Sequence, residues 1–302
     1  MIIIEKLYNF KKNMVKFWKM YFTIEGKYTS LLPDRIYLKK LYKERIGKEL
    51  NLKSPTTFNE KINWLKLYDR RPEYTMMADK YKVREYVEEK IGKEYLIPLI
   101  GCWNRVEEID FGTLPQQFVL KCNHDNGVII CKDKESINIE QVKKELQKHL
   151  ERDYYKKTRE WAYKNIERKI ICEKYMQDKT NSSLVDYKFF CFDGEVKFMF
   201  IATGRDVDTR FDYYDRNFNH LPFVCGYPNS DVVIEKPHNY EEMIMVVEKL
   251  SKDIPHVRVD LYDIDDKIYF GEMTFYHDAG LMPFKPESWD EILGGYICLP
   301  KK

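Results

Sequence analysis

The 302-residue sequence has no apolar run near the ~20 residues that a membrane-spanning helix needs, so no span is expected. Its opening MIII runs at once into Glu5 and Lys6, which is too short for a signal-peptide core. Seven cysteines (Cys102, Cys122, Cys131, Cys172, Cys191, Cys225 and Cys298) form no C-x-x-C pair, and an odd, scattered set makes a poor disulfide framework and a poor zinc site. A reduced, cytosolic compartment fits that usage. Net charge is nearly absent as well. Lys and Arg number 51 against 49 Asp and Glu, a formal +2, which excludes a nucleic-acid binder coated in positive charge. The Walker pattern G-x-x-x-x-G-K-[ST], internal repeats and low-complexity tracts are missing too.

What is present is 44% hydrophobic and 33% charged residues, enough to bury a core as one elaborate domain or two intimate ones. The near-neutral balance hides an asymmetry. Residues 1–50 carry 12 basic and 5 acidic side chains, so the rest of the chain is five charges negative. Within that basic preface Leu7, Phe10, Met14, Phe17, Trp18 and Tyr21 recur at helical spacing with lysines between them, giving one apolar and one basic face over 3–22. Such a helix either docks on its own domain or lies on an anionic membrane surface.

A second helix is predicted over 34–47, ended by Gly47. Thr57, with Glu60 three residues on, spells a capping box for the next. Helical patterns continue over 78–92, through most of 139–168, and over 240–252. Strands are predicted at LIPLIGCW, FVLK, VIICK, KIICEKY, DYKFFCF, EVKFMFIATG and FDYYD, then at VRVDLYDI and KIYFGEMTF, joined at Asp265-Asp266. Helices first, then strands and helices mixed, read as α+β with antiparallel sheets.

Three segments can carry chemistry. In FVLKCNHDNGVII, Lys121 ends a strand and a polar loop returns the chain, so the lysine and loop amides can surround phosphates, with Gly127 available for positive φ. An ordinary hairpin tip has the same local pattern. In RVDLYDIDDKIYFGEMTF, period-two alternation sends Arg258, Asp260 and Tyr262 to one face, with Glu272 and Thr274 on the partner strand. Two carboxylates facing each other across a hairpin, with no lysine between them, repel unless a cation sits there, and all-oxygen ligands favour Mg²⁺. A solvated charged face is the plain alternative. Arg258 beside them can hold an anionic transition state. Glu173, ending an apolar strand, and Lys188, alternating with apolar neighbours, are charges that need partners.

TFNEKINWLKLYDR, ADKYKVREYV, LIPLIG, FVLKCNH, DYKFFCFDG, RVDLY and YFGEMTFY follow in that order over roughly residues 54–300, with Gly280 and Trp289 trailing. In this combination the chain resembles the TupA-like branch of the ATP-grasp superfamily, associated with teichuronopeptide and other cell-surface polysaccharide biosynthesis. The resemblance implies an ATP-grasp fold, two α+β lobes clamping a nucleotide. Its parts would be a basic helical segment (1–53), an N-terminal lobe (54–115), a central lobe (116–185) and a C-terminal lobe with the metal site (186–302). It further implies that Lys121 contacts the α- and β-phosphates of ATP, and that Asn123, His124, Asn126 and Gly127 belong to a loop closing over the triphosphate. Glu173, Lys174, Tyr175 and Met176 resemble the adenine hinge, and Asp186 the ribose-binding position. Lys80, with Arg84, resembles a pattern whose lysine approaches nucleotide or substrate, and Lys188 and Arg205 face the γ-phosphate and acceptor. Arg258 would stabilise the tetrahedral intermediate. Asp260 and Glu272 would ligate one or two Mg²⁺, with Mn²⁺ as the substitute ion. Thr274 departs from the family's usual E-x-N, a weaker donor at the second metal. His277 and Asp278 fall either to the acceptor pocket or to a polar turn.

The activity so implied is ATP-dependent carboxylate–amine ligation through an acyl phosphate. It would join a sugar, free or lipid-linked, to an amino acid in the cytoplasm, with peripheral membrane contact as a role for the preface. Two rivals stand beside it: a nucleotide-sugar glycosyltransferase, since Asp263-Ile264-Asp265 spells D-x-D, and an ATP-grasp sugar kinase. The D-x-D falls where a turn between two strands is expected, and Asp is a turn former.

Overall fold

The computed structural model describes residues 32–179, 184–204 and 208–301. The helix expected over 3–22 and the site residue Arg205 lie outside the described residues. Helix α1 (Asp34–Ile46) stops at Gly47, whose φ of 81° lets its N–H reach back to Lys43 O. Helix α2 (Phe58–Tyr68) begins with the complete capping box: Thr57 accepts from the Glu60 N–H while the Glu60 carboxylate takes the Thr57 N–H. Helices α3 (Glu73–Ala78) and α4 (Val83–Lys90) follow.

Strands β1 (Leu99–Trp103), β2 (Phe118–Cys122), β3 (Val128–Cys131) and β4 (Ile170–Lys174) make an antiparallel sheet in the order β1-β4-β2-β3. Helices α5 (Ile139–Glu151) and α6 (Tyr154–Thr158) occupy the connection between β3 and β4. Strands β5 (Asp186–Phe192), β6 (Glu195–Thr203) and β7 (Arg210–Asp215) continue into a second sheet. After a short β8 (Val224–Cys225) and helix α7 (Tyr240–Ser251), β9 (Val257–Ile264) and β10 (Lys267–Thr274) complete it in the order β10-β9-β5-β6-β7. All its pairings are antiparallel. The β9–β10 turn places Asp265 and Asp266 at φ 52° and 59°, the left-handed pair of a two-residue hairpin. The short β11 (Phe284–Lys285) pairs with β8, and α8 (Ser288–Gly294) ends the described elements.

Apolar burial gathers into two cores. Leu38 to Val87 share one core with Ala162, Ile166 and Phe189 to Ile297, whereas a smaller core gathers Val106 to Leu146 with Ile170 and Cys172. Residues 58–87 thus contribute to the larger core and residues 106–114 to the smaller one. Helices α2 to α4 pack on the larger sheet's core, because Ile62, Leu65, Tyr74 and Val87 find their apolar partners there, and Val106, Ile109, Phe111 and Leu114 fill the smaller sheet's face. All seven cysteines are free, and no helix among the described residues is long and apolar enough to cross a membrane.

Candidate active site

Arg258 sits at the centre of the larger sheet's charged face. Its Nε and Nη2 grip both oxygens of Asp260 at 2.7 and 2.8 Å; Nη2 also donates to Glu272 Oε1 (3.0 Å) and Thr274 Oγ1 (3.1 Å), and Nη1 donates to His277 Nδ1 (2.9 Å). Strand register explains the gathering: Asp260 lies opposite Glu272 on one side and Lys188 on the other, and Arg258 lies opposite Thr274. A bulge between Phe270 and Glu272 resets β10 so that Glu272 meets Asp260.

This corrects one sequence expectation. A cation does sit between the two carboxylates, and it is the guanidinium of Arg258, which reaches two residues along its own strand. Lys188 Nζ adds an ion pair to Asp260 and lies 3.7 Å from Asp186. Glu272 Oε2 stands 3.5 Å from Lys80 Nζ. Burial pushes the Glu272 carboxyl up, but Lys80, Arg258 and Lys188 outweigh it and hold the group well below the usual carboxylate range.

The donor set for a hard cation is all oxygen, as Mg²⁺ requires. Asp260 has both oxygens engaged by protein cations, and Thr274 Oγ1 already accepts from Arg258 while donating to Glu272 Oε1. Glu272, with its side chain 32% exposed, is the carboxylate of this group that an incoming ion could reach.

A second charged group lies on the smaller sheet. Lys121 Nζ pairs with Glu173 Oε2 at 2.7 Å, and Arg84 Nη1 lies 3.7 Å from Glu173 Oε1. Lys80 bridges toward the first group, donating to Asp125 O (2.8 Å). Loop 123–127 is held from within. Asn123 donates to Asp79 and Glu167 O, and accepts from the Lys169 N–H. His124 Nε2 bonds Arg152 O, and both side chains are buried. Asp125, which the sequence reading passed over, is tied to His149 at 2.5 Å and to Arg152 at 3.3 Å.

Gly127 is not in the left-handed region, contrary to expectation. It is needed for room, since a Cβ there would strike the His149 ring. Lys174, the last residue of β4, is exposed, and Tyr175 and Met176 beyond it are half-buried; Asp186 opens β5, buried. Asp263 and Asp265 stand at the far hairpin end, where Asp265 accepts from the Lys179 N–H.

A cavity of about 330 Å³ opens beside Lys80, Asp125, Asn126, Arg258, Glu272 and Thr274, and continues between Tyr154, Tyr163, Glu160 and Asp278. Its far wall was not anticipated. Asp278, Ala279 and Gly280 are successively left-handed, at φ 45°, 55° and 59°. The fully buried Lys66 of α2 holds that turn: its Nζ donates to Ala279 O (2.5 Å), Thr158 O (3.0 Å) and Asn63 Oδ1 (3.3 Å), and Asn63 donates to Gly280 O. Burial lowers the Lys66 amine to about 8. A lysine on the apolar face of a strongly patterned helix was the one available signal.

Cys225, His277 and Asp278 bring potential ligand atoms within 4.8 Å of one another. They are not set up for a metal. Arg258 can only donate, so His277 Nδ1 accepts and Nε2 carries the proton, 3.3 Å from Asp278 Oδ2. His277 is accordingly pushed down to about 4, by burial first. His256, stacked on Phe192 with Nδ1 bonded to Cys191 O, is pushed down to about 3 for the same reason.

Both imidazoles are neutral in the fold and charge on unfolding, so the unfolded state binds more protons as pH falls from about 6.5 toward 4. Stability is full above that window and lost through it, by up to about 1.4 kcal/mol per pH unit for each residue. Urea midpoints measured from pH 7.5 to 5 should fall steeply, and His256→Gln should shallow the slope. A flat profile would contradict two neutral buried imidazoles.

A family profile described as TupA-like ATPgrasp matches residues 60–298. No curated protein matches the chain. Among solved structures, D-alanine–D-alanine ligase from Bacillus anthracis complexed with ATP is 17% identical, with 66% of this chain and 54% of that one covered at a TM-score of 0.39. N5-carboxyaminoimidazole synthase from Aspergillus clavatus, with ADP and 5-aminoimidazole ribonucleotide, is 13% identical over 68% and 46% (TM-score 0.38). L-amino acid ligase from Bacillus licheniformis is 11% identical over 82% and 56% (TM-score 0.44). The chain thus spans about half the length of these structures.

Proposed function

The chain belongs to the TupA-like ATP-grasp family, and from that premise we propose that it is an ATP-dependent carboxylate–amine ligase acting through an acyl phosphate in capsular or cell-surface polysaccharide assembly. The observation that carries this reading is the convergence of Lys80, Arg258, Glu272 and Asp278 on one cavity, with Lys121 and Glu173 on the neighbouring sheet. Lys121 and Lys80 would hold phosphate oxygens, and Tyr175 and Met176 with Asp186 would take the base and ribose. Glu272, then Asp260 if Lys188 swings toward phosphate, would hold Mg²⁺, which neutralises phosphate charge when bound.

Arg258 is fixed on three sides by Asp260, Glu272 and His277, so its guanidinium needs no reorganisation to meet an oxyanion in the cavity. The protein's contribution is then positioning and charge neutralisation, as for other phosphoryl transfers. The acceptor pair is an amino acid with a uronic acid or an amino sugar, and a lipid-linked saccharide brings the basic preface to a membrane surface. The D-x-D at the distal turn lends the glycosyltransferase reading no support.

Incubation with ATP, Mg²⁺, hydroxylamine and candidate uronic or amino acids should give carboxylate-dependent ADP and a hydroxamate. ADP with a phosphorylated sugar and no hydroxamate would indicate a kinase, and consumption of a UDP-sugar without ATP would sink the ligase.

A further inference from the structure

Glu160 is a buried charge on the cavity wall, with the Lys66 and Lys157 ammoniums acting on it. It is 4% exposed, yet it lines the cavity. One oxygen accepts from Thr158 Oγ1 at 2.6 Å, and among the described residues no other side chain bonds the carboxylate. The natural candidate for an ion-pair partner, Lys66, lies behind it, but an ammonium has three N–H groups and those of Lys66 are directed to Ala279 O, Thr158 O and Asn63 Oδ1. A buried carboxylate left in this state is costly unless something else approaches it. Burial accordingly pushes the Glu160 carboxyl up, with Lys66 pulling it down and Asp278 adding to the rise.

The walls on either side are aromatic. Tyr154 and Tyr163 line the same cavity, with ring centroids 4.9 Å apart, and Tyr276 lines it too. An anionic oxygen beside aromatic rings suits a compact cation, because the charge attracts it and a ring face can add to that attraction. Lys80 and Arg258, which line the same cavity, suit anions instead.

We propose that Glu160, flanked by Tyr154 and Tyr163, is the subsite that binds the primary ammonium of the amine substrate. This rests on the ligase reading and assigns Glu160 to the nitrogen, leaving Lys80 and Arg258 to the carboxylate and phosphate. Its substrate class is a primary amine with a ring or chain small enough for about 330 Å³, and N-acylation removes the recognised charge.

The test uses the full chain with Mg²⁺ and a non-hydrolysable ATP analogue. Saturation-transfer NMR should find D-glucosamine and glycinamide binding about ten-fold more tightly than their N-acetyl forms, the difference one charge-assisted contact makes. Glu160→Gln should erase that preference, and Glu160→Asp should keep part of it, with near-UV circular dichroism reporting that both variants fold. Equal binding of free and acetylated amines by the wild type, or a preference that survives Glu160→Gln, overturns the subsite. Failure of the ligase reading is seen separately, as absence of carboxylate-dependent hydroxamate from the wild type.

Discussion

Glu272→Gln is expected to lower turnover by about a thousand-fold or more while leaving the fold intact, a loss of the size seen when one preorganised charge contact is removed from an active site. Around this carboxylate stand Lys80, Arg258 and Lys188, with Asp260 as the other anion. The amide keeps the shape and the Thr274 contact but leaves those cations in excess. Phosphate binding should therefore be undiminished or tighter, and the defect should fall on kcat, with the ATP KM unchanged or lower. Lys121→Ala should also abolish turnover, by the opposite route: it removes a phosphate contact and leaves Glu173, among the described residues, with Arg84 as its remaining ion-pair partner, so the ATP KM should rise. ADP release over an ATP titration separates the two patterns. An active Glu272→Gln enzyme would refute the metal assignment.

Arg258→Met should be the most destabilising single change at the site. The guanidinium makes five hydrogen bonds to Asp260, Glu272, Thr274 and His277, and its surroundings hold its basicity above the ordinary arginine value despite burial. Removing one partner of a buried ionic network typically costs about 3–5 kcal/mol, because the other partner stays buried. For a chain of this size that is a Tm lower by about 10 °C. The variant also leaves Asp260 and Glu272 facing each other with nothing between them. Mg²⁺ should then raise the variant's Tm by more than the wild type's. An equal shift in both would mean that the two carboxylates form no cation site once the guanidinium is gone.

Local grammar was readable wherever the deciding contacts lie within a few residues. Thr57 and Glu60 form their capping box, Asp265-Asp266 make the turn, and alternation along β9 and β10 gathers Arg258, Asp260, Glu272 and Thr274. Misreadings arose where a distant partner decides. Gly127 answers to His149 on another helix, not to its own φ. The facing carboxylates suggest Mg²⁺ as their cation, because alternation places Arg258 on the same face as Asp260 but says nothing of how far a guanidinium reaches. Which core residues 58–87 join is hidden for the same reason, since an amphipathic helix announces an apolar face without naming the sheet that covers it. Lys66 and Glu160 are not legible together because 94 positions separate them, and although Lys66 stands within TFNEKINWLKLYDR, nothing in that segment points to residues around Glu160.

The left-handed turn at Asp278–Gly280 has a consequence for altering specificity. Its backbone is held by Lys66 and Asn63 from behind, out of reach of anything in the cavity. Exchanging side chains on the visible wall would change what the wall offers, while its contour would persist. To move the contour, one would rewrite the hidden face of α2, so that the residues governing which substrates fit include some that no substrate touches.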